Sequence, residues 1–549
     1  MGRSEIELDL YFRVPFGPNR PFASWAWGVE QLDYSRKFKE NLMHCNKSLP
    51  VALAIFAGIG LSAANTSAQD LVQVSGSSPF TDCGADNIAS QSGVNFLNSE
   101  VEPWIDVNPT NSLNFVGVWQ QDRWSNGGSR GLVVGVSLDG GETWAVNPIP
   151  KITLCSGGNY QRATDPWVTF GPDGVVYQLS LSFNDFNFEH ALLVSKSTDG
   201  GINWNDPIPI KTDVAPTVFN DKQSITADPH ITADSSGIKR YVYAIWDRLV
   251  YPNEKANVKA AFHAAAYRGP IWFARSADGG DSWGTARPIY DPGQNSQTIG
   301  NQIVVLPQQN PDGPYDLVNV FNLIHNENKK GLRGSNVAVI RSPNQGDTWS
   351  EPTIVAKLGS IPVRDPETGK DIRTGDIIPD IAVDPISGTL YIVWQDARFS
   401  DLQNDGIALS VSTDGGYTWS APIKVNQTPT NLLAGNQQAF TPSVTVTKDG
   451  TVAITYYDFR NNTSDPQTLP TDYFIVRCTS NCADPTSWWN NETRLTPTSF
   501  DMRKAPLTGS GYFVGDYEGL VSVENDFLPF FSQSHDSDPA SIFFRRVSP

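Results

Sequence analysis

Two kinds of charged residue recur along this chain where they could do chemistry together. Acids stand at the head of short apolar runs: Glu102, Asp165, Asp228, Asp380 and Asp516. Arginines follow an aspartate where other runs end: Asp122-Arg123, Asp247-Arg248, Asp396 with Arg398, and Asp458 with Arg460. A guanidinium group binds a carboxylate through a planar, two-pronged fork. Crowded carboxyl groups raise one another's proton affinity, so that one stays protonated as a general acid beside an ionised neighbour. On this reading Asp165 and Asp228 are the candidate acids. Arg123, Arg248, Arg373, Arg398 and Arg460 are the candidate substrate-binding residues. The recurrence also fits a scaffold role, in which Asp–Arg pairs stitch strand ends together.

The elements that must hold these residues repeat. An octamer reads SLDGGETW at 137–144, STDGGINW at 197–204, SADGGDSW at 276–283, SPNQGDTW at 342–349 and STDGGYTW at 412–419. A worn sixth copy lies around 480–488. Repeats of this kind point to a repeat architecture. In each copy an acid or amide (Asp139, Asp199, Asp278, Asn344, Asp414) is placed to accept backbone N–H bonds in a tight turn. The glycines supply left-handed backbone angles, and the tryptophan opens the next strand with a large apolar face.

Between the octamers run short segments rich in Val, Ile, Tyr and Trp, bounded by turn pairs such as Asp173-Gly174 and Asp449-Gly450. They read as strands. Each unit gives four, the fold of a propeller blade. First strands begin near 103, 166, 229, 300, 379, 442 and 515. The last unit lacks a fourth strand, and residues 71–75 (LVQVS) have no unit of their own. The expected fold is therefore all-β, a seven-bladed β-propeller closed by an N-terminal strand, with six blades as the alternative. Residues 259–267 are compatible with a short helix inside a loop. Four-strand alternation puts the octamers on one face and the long connections on the other, where binding sites usually sit.

The octamer resembles the Asp box, S-x-D-x-G-x-T-W, of sialidases and related β-propellers (the BNR repeat). The likeness runs over nearly all of 71–549. It implies a six-bladed sialidase fold or a relative of it, and exo-α-sialidase-type glycoside hydrolysis. The family uses an arginine cluster, an Asp acid/base and a tyrosine nucleophile, an exception to the usual carboxylate pair. Tyr517, in GDYEGL at 515–520, lies where the family's G-Y-S-x-L carries its tyrosine. Arg123 resembles the arginine after the family's first-blade second strand. The expected F-R-I-P is absent at 102–105 (EPWI), and FRVP at 12–15 precedes the leader's apolar run. Two functions stay open: a sialidase-like glycoside hydrolase, and a non-catalytic propeller that binds glycans or proteins.

Composition narrows the partners. The chain has 549 residues, 45 Gly, 39 Pro and a net charge of −18. That excludes nucleic acid and anionic membrane surfaces as natural partners and leaves a glycan or glycoconjugate. Residues 1–70 read as a leader with a signal-peptide-like segment at about 49–68, and 71–549 as a single propeller domain. An uncleaved anchor would be the only route to a membrane. The protein is expected to be secreted, periplasmic or extracellular, and a monomer. Cys83, Cys155, Cys478 and Cys482 remain outside the leader, an even number. Cys478 with Cys482 and Cys83 with Cys155 are the expected disulfides. No zinc spacing or EF-hand loop is present, so no cofactor is implied, although acidic loops are compatible with Ca²⁺.

Overall fold

The computed structural model describes residues 70–87, 92–185, 187–252, 268–307, 315–325 and 333–549. The leader and the 259–267 segment lie outside them. The described chain is almost entirely antiparallel β-structure with a few one-turn 3-10 helices.

The strands fall into consecutive four-strand sets. Set 1 is Glu100–Val107, Phe115–Arg123, Ser129–Ser137 and Ala145–Pro148. Set 2 is Arg162–Phe170, Val176–Phe183, His190–Ser197 and Ile208–Asp213. Set 3 is Val218–Asp234, Gly237–Val250, Ile271–Ser276 and Arg287–Tyr290. Set 4 is Ser296–Val305, Leu317–His325, Gly334–Ser342 and Thr353–Lys357. Set 5 is Asp380–Val383, Leu390–Asp396, Gly406–Ser412 and Ile423–Lys424. Set 6 is Ala439–Val446, Val452–Asp458, Pro470–Cys478 and Glu492–Arg494. Set 7 is Gly519–Val523, Asp526–Gln533 and Ser541–Phe544, and its outer strand is Val72–Gln73, paired antiparallel with Phe543 and Phe544. Bridging bonds join sets 1 and 2 at Ser129 and Ala163. Arg268–Gly269 joins sets 3 and 4.

Each first strand packs on the first strand of the next set, and Gly519–Val523 packs on Glu100–Val107. Sets stacked face to face bury both sides of their strands. That is why Leu390–Asp396 and Phe115–Arg123 are buried throughout instead of alternating. The octamers space the stack. Ser137 Oγ donates to Asp139 Oδ1 (2.8 Å) and accepts the Gly141 N–H (2.8 Å), and the Thr143 N–H reaches Asp139 Oδ1 (3.0 Å). The same staple recurs at Asp199, Asp278, Asn344 and Asp414. The second glycine has φ of 96° at Gly141 and 94° at Gly201. A Cβ at Gly141 would lie 2.2 Å from Phe544 of set 7, and one at Gly201 would lie 2.7 Å from Val116 of set 1. The turn therefore seats its backbone on the neighbouring set.

Both disulfides are present. Cys83–Cys155 ties the N-terminal segment to the loop after set 1. Cys478–Cys482 stands where the sixth octamer has worn away, and Trp488 Nε1 donates to the Cys482 carbonyl (3.0 Å), much as Trp144, Trp204, Trp349 and Trp419 donate to their glycine.

Candidate functional site at the channel mouth

The first strands of sets 1, 2, 3, 4 and 6 share a defect. Their register slips between Val101 and Trp104, Thr164 and Trp167, Asp221 and Ser224, Ile299 and Gln302, and Phe440 and Ser443. At each slip one residue takes a left-handed backbone: Glu102 (φ 54°), Asp165 (51°), Lys222 (46°), Gly300 (76°) and Thr441 (50°). A bulge re-aims the side chain it carries. A non-glycine residue held left-handed costs about 1–3 kcal/mol, and such residues cluster at sites of function. Here the bulges bring three charged residues together at the end of the sets opposite the octamers.

Lys222 Nζ lies 3.2 Å from Glu102 Oε1, 3.8 Å from Asp165 Oδ1 and 2.9 Å from Asp516 Oδ2. Arg373 completes the ring with Nε 2.9 Å from Asp516 Oδ1 and Nη2 2.5 Å from Asp516 Oδ2. Arg373 arrives on a loop between sets 4 and 5, where Ile372 and Arg373 pair in parallel with Tyr512 and Phe513. Two glycines permit that approach: a Cβ at Gly511 would lie 2.0 Å from the Asp371 carbonyl, and one at Gly375 would lie 2.1 Å from that of Asp516. The Phe513 ring receives Arg373 on one contact (4.4 Å) and Arg123 on another (5.1 Å). Arg123 also donates to Gln120 Oε1 (3.1 Å), and Gln120 donates to Glu102.

The ring separates its proton affinities. Burial pushes the Glu102 carboxyl up to about 7, against the pull of Lys222. Burial also opposes ionisation of Asp516, but Arg373 and Lys222 outweigh it and hold that carboxyl well below the ordinary range. For Lys222 burial works against the charge, and Asp165, Asp516 and Glu102 more than restore it. Burial, with Arg373 beside it, lowers Arg123 to about 10.

Tyr517 forms the wall below. Its ring lies 5.5 Å from Trp167, which stacks on Trp104 at 3.6 Å, and the Lys222 ammonium lies 5.2 Å from its centre. Its hydroxyl donates to the Pro166 carbonyl (3.1 Å). Burial, then the Glu102 and Asp165 carboxylates, keep the phenol well above its usual range. The channel beneath encloses about 30 Å³, room for about two or three waters.

The other sequence-selected residues lie elsewhere. Asp228 is fully buried, accepts the Tyr243 hydroxyl (2.8 Å) and bonds His230 Nδ1 (2.9 Å), away from the ring. Arg248 forks onto Asp213 (2.5 and 2.8 Å). Arg398 bonds Asp396 (2.7 Å), and Arg460 bonds Asp458 (2.7 Å) and Glu492. So Asp165, Arg123, Arg373 and Tyr517 come together, while Asp228, Arg248, Arg398 and Arg460 are tied to separate strand ends.

Sequence reasoning passed over Lys222, and it placed Glu102 and Asp516 among the strand-head acids without selecting either as the candidate acid. The third set explains this. Its first strand starts at Val218, not near 229, and runs to Asp234. Asp228-Pro229 mimics the Asp165-Pro166 of set 2 and lies in a second slip of this strand, between Ala227 and Ile231, six residues past the bulge at Lys222. In register Asp221-Lys222-Gln223-Ser224-Ile225 aligns with Val101-Glu102-Pro103-Trp104-Ile105, but the two share only the final isoleucine, so no local pattern marks Lys222. Among the described residues no group of three or more His, Cys, Asp or Glu is arranged to hold a metal ion. At the ring, the Lys222 ammonium sits among the three carboxyl groups of Glu102, Asp165 and Asp516.

Residues 269–505 match the BNR repeat-like domain family, a span that contains the third, fourth and fifth octamers. No curated protein matches the chain. Solved structures similar to it include a protein of unknown function from Dyadobacter fermentans, 14% identical, covering 82% of this chain and 94% of that one, with a TM-score of 0.42. A Hadza microbial sialidase is 15% identical over 80% and 75% of the two chains, TM-score 0.43. An alpha-L-arabinofuranosidase from Fusarium graminearum is 12% identical over 71% and 92%, TM-score 0.41.

Proposed function

We propose, for a chain whose BNR repeats are of the sialidase-like kind, that it is an exported seven-bladed propeller hydrolysing glycosidic bonds at its channel mouth. The blade count is supported by the packing order of the first strands and by Val72–Gln73 as the outer strand of set 7. Export is supported by two disulfides and by the signal-like segment at 49–68. Among the described residues no helix is long and apolar enough to cross a membrane.

The observation that carries the catalytic reading is the split at Lys222. One carboxyl, Glu102, keeps its proton to about pH 7, and another, Asp516, is held ionised. Carboxyl groups pushed apart in this way supply the acid and the anion of glycoside hydrolysis. Glu102 then protonates the leaving glycosidic oxygen. Asp516, with Asp165 beside it, bonds to the anomeric carbon as the leaving group departs, and a water then hydrolyses that glycosyl ester and gives its proton back to Glu102. The oxygens of Glu102 and Asp516 that meet at Lys222 lie 3.2 and 2.9 Å from its nitrogen, hence no more than about 6 Å apart. That bound favours the retaining spacing of about 5–5.5 Å over the inverting one of about 6.5–9.5 Å. For a sugar to bind, the Lys222 ammonium must swing out of the ring. Arg373, the most exposed of the ring's cations at 25%, then faces an acidic substituent. Tyr517 acts as wall, not nucleophile.

The test is hydrolysis of 4-methylumbelliferyl glycosides, sialosides and arabinofuranosides among them. Glu102→Gln should lower turnover by roughly 10²–10⁴, while Tyr517→Phe keeps most of it. The opposite result would return the nucleophile's role to Tyr517. A folded wild type that turns over none of them supports the second reading, a glycan- or protein-binding propeller. That reading is favoured by the mutual neutralisation of the ring and by the small channel volume.

A further inference from the structure

The roomier hollow lies off the channel, on the same rim. A cavity of about 220 Å³ opens beside set 5 between residues 397–405 and 425–438. Phe399, Asp401, Gln403, Lys424, Thr430 and Gln437 line it. The volume is below the roughly 300–1,000 Å³ of drug-sized pockets and suits one six-membered sugar ring.

Two observations set it apart from a loop crevice. The first is its wall. Asp401 (φ 52°) and Leu402 (φ 63°) are consecutive non-glycine residues in the left-handed region. Such backbone persists only where its surroundings impose it. Here the Leu402 N–H donates to the Ala397 carbonyl (3.1 Å), and Ser400 Oγ both donates to the Asn404 carbonyl (2.6 Å) and accepts its N–H (3.0 Å). The second is Lys424. Its stem passes Gly406 beside the Phe399 ring: a Cβ at Gly406 would lie 3.4 Å from Lys424 Cε and 3.7 Å from Phe399, ordinary contact distances, with Asn426 Oδ1 nearer at 3.0 Å. Among the described residues no carboxylate lies within ion-pair distance of this half-buried ammonium. Burial, only partly offset by Asp458, holds its proton affinity below the ordinary range. A partly desolvated cation without a counter-ion favours an anion that can supply one.

We propose that this cavity binds a pyranose carrying a carboxylate, its carboxylate on Lys424, its hydroxyls on Asp401 and Gln403, and its C–H face towards Phe399. The site is separate from the channel mouth and does not depend on catalysis there. An anion alone would satisfy Lys424 but would leave Asp401 facing like charge. A sugar hydroxyl donates to Asp401 while the carboxylate stays on the lysine.

The test is calorimetric and ligand-observed NMR titration of the full chain with methyl β-D-glucuronide and the methyl glycoside of N-acetylneuraminic acid, with methyl β-D-glucoside as the neutral control. At least one carboxylated probe should saturate with a Kd of about 1 mM and the glucoside should bind at least tenfold more weakly. Lys424→Gln should weaken binding tenfold or more, Lys424→Arg should keep it within about threefold, and Glu102→Gln should leave it unchanged. The proposal is overturned by failure of both carboxylated probes to saturate, by equal affinity for the glucoside, by unchanged binding in Lys424→Gln, or by loss of binding in Glu102→Gln alone.

Discussion

The two ends of the strand sets use acids in opposite ways. At the octamer end Asp139 and Asp414 stand in water. Side-chain and backbone donation from Thr143 holds Asp139 at about 2. For Asp414 desolvation is the largest single influence and raises the affinity, but the hydrogen bonds from Thr418, Ser412 and the Tyr417 N–H together outweigh it and bring the carboxyl to about 2. At the channel end burial dominates: Glu102 rises to about 7 and Glu100 to about 8. A turn satisfies its carboxylate with donors from its own four neighbours. The ring needs partners that are distant in sequence, since Lys222 is 120 positions from Glu102 and Arg373 is 143 from Asp516. A local device costs little to lose. A non-local ring of buried charges costs much when one member goes.

The largest expected effect tests that contrast directly. Asp516→Ala leaves the Lys222 and Arg373 charges without their shared carboxylate in a buried site, and should lower stability by about 3–5 kcal/mol. Asp139→Ala removes only exposed turn bonds and should cost about 1 kcal/mol or less. Guanidinium-induced unfolding of the two variants measures both. Comparable losses would mean that the octamer turns matter as much as the ring, and the contrast would collapse.

A smaller effect separates the two glycines of one octamer. Gly141 has φ 96° and no room for a Cβ beside Phe544, so Gly141→Ala should cost about 1–3 kcal/mol in overpacking, with backbone strain added. Gly140 is left-handed too, but its nearest neighbour is the end of Leu113 at 3.2 Å. The fourth octamer already places Gln345 at that position with φ 54°. Gly140→Asn should therefore cost under about 1 kcal/mol. Thermal unfolding of the two variants gives the order, and a costlier Gly140→Asn would show that the turn's own backbone, not its seat on the next set, limits the substitution.

These differences also explain what could be read from the sequence. The octamers, the strand quartets and the Cys478–Cys482 disulfide are encoded by neighbours, so local pattern reveals them, whereas Cys83–Cys155, 72 positions apart, follows only as the pair left over. The facing of the ring away from the octamers follows from counting strands. The ring's membership does not. Arg373 reaches it through a parallel pairing with Tyr512 and Phe513 that no local pattern announces. Lys222 was hidden because Asp228-Pro229 repeats the Asp-Pro signature six residues late, and the bulge that aims Lys222 inward has no proline to mark it. The Asp–Arg pairs, by contrast, were conspicuous in sequence because they are local. Arg398 and Arg460 each bond the aspartate two residues before them.

The subtlest consequence concerns pH. Glu102 holds its proton to about 7 in the fold and releases it near 4.5 when unfolded. Its folded affinity is raised, so its contribution is fully present below about pH 4.5 and is lost as pH rises through about 7, because the folded state binds more protons than the unfolded one across that window. Glu100, raised to about 8 by burial, and Asp247 and Asp380, each raised to about 7 by burial, slope the same way. The melting temperature should therefore fall between pH 5 and pH 8. Glu102→Gln cannot ionise, so its slope should be shallower by one group's share and not flat, and the variant should gain on the wild type as pH rises. Asp139→Asn should run parallel to the wild type over the same range, because Asp139 stays ionised down to about 2. Melting curves at half-unit pH steps distinguish the cases. Parallel lines for Glu102→Gln and wild type would mean that Lys222 already keeps Glu102 ionised at pH 5, and the acid role proposed for it would go with the slope.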